Sequence, residues 1–272
     1  MNTLLADIGG THARFAWLKS GKLSKILKLD CDDFKTPLDM IDFVLNQQNE
    51  KTTAMLLSVA GPVQKAKVKW TNRLGWSLSE TELKKKYKLK KVLLLNDMVA
   101  QGYGLKNDKN KKTVLMNVGT GFGACLILNA EVYPGEFGLT LDENYNRKEH
   151  YLSGQGVVRL YHELTSDKKV SSAKVLDEMR LKNKNARSAY SKFYKMWGKT
   201  AANICVSHML DRVYLWGGLV PKNEQDMQDF LSEFYHKKYP AFQQKVRVKI
   251  VREKNLAFKG LVHLSTHKFV AP

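Results

Sequence analysis

The sequence predicts an α/β protein built from two similar halves. Short apolar segments of strand length alternate with segments in which apolar residues recur at helical spacing. A glycine-rich turn between two strand-like segments occurs twice, at residues 9–11 and 119–123, which suggests an internal duplication. A lysine- and asparagine-rich segment at 106–112 separates the two copies. We therefore expect a small N-terminal lobe over 1–105 and a large C-terminal lobe over 106–272, whose last helix, at about 256–272, can pack back on the small lobe.

The first lobe is predicted to run strand–strand–strand–helix–strand–strand–helix–strand–helix, and its glycine hairpin supplies the first two strands. The later elements are predicted as a strand at 22–28, an amphipathic helix within 32–49, a buried strand at 54–60, an edge strand at 67–70, a helix to about 87, a strand at 92–95 and a helix or turn after it. Ser79 and Glu82, three residues apart, predict a capping box at the start of the second helix.

The second lobe opens with strands at 113–118, 124–128 and 131–133. Loops are predicted at 134–138 and 142–148, because proline, glycine and polar residues concentrate there. The remaining predictions are helices near 157–164, 173–180, 186–210, 227–234 and 256–264, and strands at 213–215 and 246–251. Aromatic residues along one face of the 186–210 helix are expected to belong to the hydrophobic core.

The charge balance raises the question of nucleic-acid binding. The chain has 272 residues and a formal net charge of +19, and a basic surface is one mark of nucleic-acid binders. Lysine greatly outnumbers arginine, however, whereas specific phosphate and base contacts favour arginine. No zinc-finger or aromatic RNA-binding motif accompanies the lysines. We expect no nucleic-acid partner, although the excess charge can attract anionic substrates such as ATP.

Cysteine usage and hydropathy indicate a cytoplasmic location. The three cysteines are far apart and form no Cys-x-x-Cys motif, so neither a disulfide framework nor a zinc ribbon is supported. No signal-peptide pattern begins the sequence. No apolar run approaches the roughly 20 residues that a membrane span needs. We expect no membrane partner.

The glycine turns are candidate phosphate sites. Glycine accepts positive φ and lets backbone approach a ligand closely, and successive N–H groups in such a turn can bind an anion. Asp7, at the end of the first strand, is positioned to face a metal ion held by that anion. An ordinary Gly-Gly turn fits the first copy equally well. A Walker loop and a dinucleotide fingerprint both fit poorly, since no Gly-Lys-Ser/Thr follows and a strand, not a helix, comes after the second turn.

Several acidic residues are candidates for substrate chemistry. Asn96 and Asp97 end an apolar strand, where ligands bind in α/β folds, and a carboxylate there can accept a proton from an attacking hydroxyl. An Asx turn or a helix N-cap explains the same pair. Glu136 and Glu149 lie in or beside glycine-containing segments and can accept hydrogen bonds from vicinal sugar hydroxyls. Gly217-Gly218 leaves room for a flat base, or forms a tight strand-to-helix turn.

Taken together, these residues resemble the bacterial glucokinase family of the actin/Hsp70/hexokinase ATPase superfamily. Seven stretches carry the resemblance, in the family's order and over nearly the whole chain: 7–14 (DIGGTHAR), 71–72 with Trp76, 96–97, 119–123 (GTGFG), 134–138 (PGEFG), 152–161 (LSGQGVVRLY) and 217–221 (GGLVP).

The resemblance implies two ribonuclease-H-like lobes, an actin-like ATPase fold, with a nucleotide and sugar cleft between them. It implies ATP-dependent phosphorylation of a hexose at the 6-hydroxyl, with glucose as the first candidate, and Asp97 as the catalytic base. The implied sugar ligands are Asn72, Asn96, Asp97, Glu136 and Glu149. The implied nucleotide-binding residues are Ala6, Asp7, Ile8, Gly9, Gly10, Thr11, Gly119, Thr120, Gly121, Gly217 and Gly218. Asp7 would position Mg²⁺ through water, and family resemblance suggests a homodimer.

Three departures from the family pattern affect these expectations. Leu139 stands where the family has a histidine that contacts the sugar, and leucine cannot hydrogen-bond. His12 replaces the asparagine of the family's Gly-Thr-Asn-Ala-Arg, and the connection from Leu139 to Glu149 is shorter than expected. A kinase for another hexose therefore remains open. So does a regulator that binds sugar or nucleotide without catalysis, although Asp97 and both glycine turns argue against it.

Overall fold

The computed structural model of the protein describes residues 2–48, 50–70, 73, 75–105, 110–144 and 146–266. The chain divides into two compact units. Unit 1 comprises Met1–Lys106 and Glu253–Pro272, and unit 2 comprises Asn107–Arg252.

Up to residue 105 the chain forms nine strands and three α-helices among its described residues. In order these are β1 (Asn2–Ile8), β2 (His12–Lys19), β3 (Lys22–Leu23), β4 (Leu27–Asp30), α1 (Pro37–Leu45), β5 (Ala54–Val59), β6 (Val63–Gln64), β7 (Lys67–Lys69), β8 (Ser77–Ser79), α2 (Glu80–Tyr87), β9 (Lys91–Asn96) and α3 (Asp97–Gly104).

From residue 110 onwards the described residues form five more strands and five α-helices. In order these are β10 (Thr113–Val118), β11 (Phe122–Leu128), β12 (Glu131–Gly135), α4 (Gly154–Leu164), α5 (Ala173–Met179), α6 (Lys184–His208), β13 (Arg212–Trp216), α7 (Glu224–Phe234), β14 (Arg247–Ile250) and α8 (Leu256–Thr266). Short 3-10 helices occur at 31–33, 137–139, 148–150 and 243–245.

The main sheets of the two units share one strand order. In unit 1 the order is β3-β2-β1-β5-β9, with β4 also beside β2, and in unit 2 it is β12-β11-β10-β13-β14. In each sheet the first strand of the unit lies antiparallel to its hairpin partner and parallel to the next strand inward. The repeated glycine hairpins thus occupy equivalent places in two sheets of the same topology.

Each unit has its own apolar core. In unit 1, β5 is buried along its whole length and packs with buried residues of β1 and of α1. Helix α1 begins at a capping box formed by Thr36 and Asp39, with Pro37 in its first turn. In unit 2, α6 packs against α7, and Trp197 and Phe193 of α6 are fully buried, as the aromatic face of this helix predicts.

The structure corrects four predicted elements. The single strand at 22–28 is two short strands, β3 and β4, which both pair with β2. The predicted edge strand at 67–70 is β7, the middle strand of a small β6-β7-β8 sheet. Ser79 is the N-cap of α2, but its side chain makes no capping hydrogen bond, so the capping box is wrong. The predicted loop at 134–138 begins inside β12, which extends to Gly135.

No helix within the described residues is long and apolar enough to cross a bilayer.

Candidate active site

Asp7 lies near the carboxyl end of β1, in a polar setting at the edge of a buried sheet. Its Oδ1 accepts a hydrogen bond of 2.8 Å from Ser58 Oγ on the neighbouring strand β5. Its Oδ2 lies 3.6 Å from Arg14 Nη1 on β2. Burial raises the pKa of the Asp7 carboxyl, while the Ser58 hydrogen bond and the Arg14 charge lower it. The side chain is 17% exposed.

Asn96 and Asp97 lie at the same sheet edge as Asp7. The parallel register pairs Ile8 with Val59 and Val59 with Asn96, so the ends of β1, β5 and β9 are level. Ligands of open α/β sheets bind at the carboxyl ends of parallel strands. The sequence-predicted acid at 7 and the acid at 97 therefore belong to one edge of one unit.

Asn96 has two structural hydrogen bonds of its own. It is the N-cap of α3, and its Oδ1 accepts from the Met98 N–H at 2.9 Å. Its Nδ2 donates to the Gly61 carbonyl at 3.0 Å. The helix-cap interpretation of the Asn96-Asp97 pair is thus correct for Asn96. Asp97 is the first residue of α3, where the helix dipole favours a negative charge.

The first glycine turn is held by one hydrogen bond within the hairpin and by contacts from outside it. Gly9 N–H donates to the His12 carbonyl at 3.0 Å, and the Thr11 carbonyl accepts from Cys31 N–H at 2.9 Å. Arg73 Nε donates to the Gly10 carbonyl at 2.5 Å. The turn therefore has a fixed shape, with Gly9 and Gly10 half-buried and Thr11 exposed.

Backbone hydrogen bonds hold the second glycine turn. Gly119 N–H donates to the Gly121 carbonyl at 3.0 Å, and the Gly119 carbonyl accepts from Gly154 N–H, at the start of α4, at 2.8 Å. The preceding carbonyl, that of Val118, accepts from Leu219 N–H at 3.2 Å. This segment packs closely against Gly217, where an added Cβ would lie 2.3 Å from the Val118 oxygen.

Gly217 is the position in this region that requires glycine. Its φ is +109°, a conformation that residues with a Cβ rarely adopt. Its neighbour Gly218 is exposed, and an added Cβ there would meet nothing within 4 Å. The tight strand-to-helix turn predicted for this pair is therefore present, with open space beside Gly218.

Glu136 and Glu149 come together beside the second glycine turn. Burial, and next the negative charge of Glu149, raise the pKa of Glu136. An added Cβ on Gly121 would lie 3.7 Å from Glu149 Oε2. Arg147 Nη1 lies 3.8 Å from the other Glu149 oxygen. Two carboxylates and an exposed glycine turn thus form one polar region in unit 2.

Backbone contacts join the two ends of the short segment from Leu139 to Glu149. Residues 141 and 147 form an isolated antiparallel bridge, and Lys148 N–H donates to the Thr140 carbonyl at 2.9 Å. Leu139 and Leu141 are 38% and 54% exposed. Exposed leucines at this position leave an apolar surface close to Glu136, as expected from Leu139 standing where the family pattern has a histidine.

The remaining sequence-predicted residues are placed as follows. Ala6 and Ile8 are fully buried in the core of unit 1, so only their backbone is available to a nucleotide. Thr120 is exposed. Asn72 lies outside the described residues.

Two residues of this region were not predicted. Ser58 is the polar member of the otherwise apolar strand β5, and it is fully buried directly opposite Asp7. A serine in an apolar strand was the available signal. Arg73 follows the Thr71-Asn72 motif, but its contact with the first glycine turn joins residues far apart in the sequence and gives no local pattern.

The site residues lie away from the pocket of about 420 Å³ beside β2 and β3, which is lined by Trp17, Lys19 and Leu23 among others. The candidate site is thus defined by residue chemistry and strand ends, in two separate groups. Unit 1 contributes Asp7, the 9–11 turn, Asn96 and Asp97, and unit 2 contributes the 119–121 turn, Glu136, Glu149 and the 217–218 pair.

Comparison with known proteins identifies the family. The family model described as Glucokinase matches residues 4–138 and 139–268. A glucokinase of Helicobacter pylori (strain P12) is 30% identical over 273 residues, covering 80% of this chain and 81% of the relative. These matches confirm the family expectation.

Two solved structures share the fold at low sequence identity. Glucokinase from Balamuthia mandrillaris, in complex with glucose, superposes with a TM-score of 0.80 at 18% identity, covering 98% of this chain and 94% of that one. A ROK family glucokinase from Streptomyces griseus, in complex with glucose and AMPPNP, gives a TM-score of 0.74 at 17% identity and covers 97% of each chain. The fold is that of the actin-like ATPases, and this chain belongs to the glucokinase family.

Proposed function

We propose that this protein transfers the γ-phosphoryl group of ATP to the 6-hydroxyl of a hexose, with glucose as the first candidate substrate. The observation that carries the proposal is the shared sheet edge in unit 1, where Asp7, the 9–11 turn and Asp97 follow level strand ends. Membership of the glucokinase family supports it, as do relatives solved with glucose and AMPPNP.

The glycine turns at 9–11 and 119–121 are assigned to the phosphates of ATP. Both are exposed or half-buried, and both have backbone geometry fixed by hydrogen bonds from outside the turn. Fixed N–H groups stabilise charge without reorganising during the reaction. Gly217 and Gly218 are assigned to the adenosine side, because the open space beside Gly218 accommodates a flat group.

Asp7 suits a magnesium ion that enters with the nucleotide. A carboxylate oxygen is a hard ligand, and Mg²⁺ characteristically takes one or two carboxylates together with waters and substrate phosphates. Within the described residues there is no cluster of three or more His, Cys, Asp or Glu able to hold a metal by themselves. The Asp7 carboxylate therefore fits a magnesium ion that phosphate oxygens also bind. Such an ion would neutralise charge on the transferred phosphoryl group.

Asp97 is assigned as the general base. Its carboxylate accepts the proton of the 6-hydroxyl as that oxygen attacks the γ-phosphorus, and the bond from phosphorus to the bridging oxygen of ADP breaks. The start of α3 fixes the backbone of Asp97 because Asn96 caps the helix. Asp7 holds the nucleotide end of the same edge, which leaves Asp97 for the sugar.

The hexose hydroxyls are assigned to Asn96, Glu136 and Glu149, together with Asn72. Ionised carboxylates accept hydrogen bonds only, and they pair with hydroxyl donors more strongly than neutral groups do. The mutual repulsion of Glu136 and Glu149 is relieved when sugar hydroxyls donate to them. The predicted cytoplasmic location and homodimer stay predictions.

Leu139 is the residue that we expect to modify sugar choice. It is partly exposed and offers no hydrogen bond near Glu136. Replacing Leu139 by His adds a donor at this point, so the Leu139→His variant should lower KM for glucose, by about tenfold if one hydrogen bond to a charged or polar partner is gained. Steady-state kinetics with glucose measure this, and an unchanged or higher KM would show that Leu139 does not face the sugar.

A coupled ADP-release assay over a panel of hexoses tests the proposed function. We expect turnover that depends on both ATP and one or a few hexoses, with product carrying phosphate at the 6-hydroxyl. Hexose-dependent ADP release would have to be absent with every sugar for the proposal to fail. In that case retained binding of ADP and sugar would indicate a regulator.

A further inference from the structure

Arg73 makes a set of contacts that converge on the first glycine turn. Its Nε donates to the Gly10 carbonyl at 2.5 Å, and its Nη1 donates to the Cys31 carbonyl at 3.3 Å. Its Nη2 donates to Asp32 Oδ1 at 2.5 Å. The guanidinium is rigid and planar, so three simultaneous contacts fix both the position and the orientation of this charged group.

The aromatic surroundings hold the arginine in this orientation. The guanidinium carbon lies 4.7 Å from the centre of the Trp76 ring, a cation–π arrangement. Trp76 Nε1 in turn donates to the Lys35 carbonyl at 2.8 Å. The Arg73 side chain is only 18% exposed. An arginine this enclosed costs more to hold in place than a surface arginine, which calls for an explanation beyond one ion pair with the exposed Asp32.

The contact with the Gly10 carbonyl also affects the Thr11 N–H, which lies on the opposite side of the same peptide unit. The carbonyl of Gly10 and the N–H of Thr11 belong to one trans peptide unit, so they point in opposite directions. A charge-assisted hydrogen bond to the carbonyl fixes the plane of this peptide and polarises it, which makes its N–H a stronger donor. Thr11 is an exposed residue, and its N–H points away from the Arg73 contact.

Cys31 strengthens the same brace. Its N–H donates to the Thr11 carbonyl at 2.9 Å, and its Sγ lies 3.6 Å from the Gly9 carbonyl. Arg73 contacts the carbonyl of Cys31, so the arginine supports the turn both directly and through this residue. All three carbonyls of the 9–11 turn are thereby engaged within the protein. The Gly9 N–H donates to the His12 carbonyl, so the N–H groups of Gly10 and Thr11 are the ones assigned to an anion.

We propose that Arg73 is a positioning residue for the nucleotide phosphates, acting through the Gly10 carbonyl to orient and polarise the peptide whose Thr11 N–H donates to a phosphate oxygen. This inference rests on the proposed function, because it assigns the 9–11 turn to ATP. Arg73 does not itself touch the nucleotide. It also follows Asn72 directly in the sequence, so it ties the segment assigned to the sugar to the turn assigned to the phosphate.

Calorimetric titration of the full-length protein with ADP and Mg²⁺ tests the inference. Arg73→Ala should raise the Kd of ADP at least about tenfold, the effect of losing one charge-assisted hydrogen bond. Millimolar guanidinium ion should restore most of the affinity to this variant. The Kd of ADP in Arg73→Lys should lie between those of the wild type and of Arg73→Ala, because an ammonium group supplies the charge but not the planar set of donors. Asp32→Asn, which keeps the Gly10 contact, should change the Kd by no more than about twofold.

A matched control separates positioning from loss of stability. Leu78→Ala removes a buried side chain from β8 in the same unit, and Leu78 makes none of the hydrogen bonds that hold the 9–11 turn. At a similar loss of Tm, Leu78→Ala should leave the Kd of ADP unchanged. An unchanged Kd in Arg73→Ala, an equal rise in Leu78→Ala, or no rescue by guanidinium would each overturn the role of Arg73. Failure of the wild-type protein to bind ADP would overturn the proposed function as well.

Discussion

The two units share a sheet order but hold their glycine turns differently. Four residues separate the last paired residues, Ile8 and Ala13, in unit 1, whereas three separate Val118 and Phe122 in unit 2. The longer turn is braced by the side chain of Arg73 in addition to backbone hydrogen bonds, such as the one from Cys31 N–H to the Thr11 carbonyl. The shorter turn is braced by the backbone N–H groups of two other segments, at the start of α4 and after β13.

This difference shows how a duplicated fold can serve two roles. A turn held by backbone depends on the packing of its whole unit, so few substitutions can alter it without damaging the fold. A turn that also depends on one arginine side chain can be adjusted by one substitution. We infer that the turn in unit 1 is the more adjustable of the two.

The carboxylates of the two units also differ, in the neighbours that surround them. The charge of Asp7 is supported by Ser58 and Arg14, which counteract the effect of burial. Glu136 has the charge of Glu149 nearby, which adds to the effect of burial. Unit 1 therefore offers a carboxylate that is already partnered, while unit 2 offers a repelling pair that substrate donors can stabilise.

The largest expected effect comes from the glycine contacts between helices. An added Cβ on Gly260 would lie 1.8 Å from the Ala100 oxygen, and on Gly198 it would lie 2.1 Å from the Phe230 oxygen. Gly260→Ala and Gly198→Ala should each reduce the free energy of unfolding by about 3 kcal/mol in urea denaturation, because helices cannot approach past a methyl group.

Activity distinguishes these two variants. Gly260 packs against α3, whose first residue is Asp97. Gly198 belongs to α6 and packs against Phe230 of α7. Gly260→Ala should lower kcat of the folded protein by about tenfold or more, through displacement of the base. Gly198→Ala should leave kcat within about twofold. Equal kcat in both would show that α8 does not position Asp97.

A second pair tests the backbone brace of unit 2. Gly217 has φ +109° and no room for a Cβ, whereas a Cβ on Gly218 meets open space. Gly217→Ala should cost about 2 kcal/mol in urea denaturation, and Gly218→Ala should stay within about 0.5 kcal/mol. Similar midpoints for the two variants would mean that the turn can reshape, contrary to the brace described above.

The smallest expected effect concerns pH and the repelling pair. The pKa of Glu136 is raised in the folded protein, so the folded state holds this proton to higher pH than the unfolded state does. The resulting stability is fully present below the ordinary pKa of glutamate and is lost as pH rises through the raised pKa. Glu136→Gln should therefore raise Tm at pH 7, on the order of 1 °C since the side chain is exposed and solvent screens its charge.

The same comparison at low pH provides the control. Below about pH 4 both the folded and the unfolded wild type carry neutral Glu136, so the Tm difference should vanish. A difference that persists unchanged at low pH would assign the effect to packing and not to charge.

Local patterns in the sequence predicted the local features well. The glycine hairpins, the strand ending at Asn96 and the long aromatic helix all follow from turn residues and apolar spacing. Prediction failed where partners are distant. Ser79 has capping chemistry, but its side chain does not bond the first turn of α2, and Glu80 Oε1 instead accepts from Leu94 N–H.

The residues of the candidate site divide in the same way, into those recognisable from local sequence and those set by distant contacts. Its acids and glycines are recognisable from residue type and from the family resemblance. Ser58 and Arg73 are set by strand register and by contacts across 51 and 63 residues of sequence. No spacing rule carries that information, so the groups that orient Asp7 and the first turn had to come from the structure.

The most direct test of the proposed reaction is the replacement of Asp97 by asparagine. Asparagine keeps the size of the side chain but cannot take up the proton of the 6-hydroxyl. We predict that kcat for hexose-dependent ADP release falls by about 10²–10⁴-fold in Asp97→Asn, while the Kd of ADP stays within about threefold of the wild type. Turnover equal to that of the wild type would contradict the assignment of Asp97 as the base.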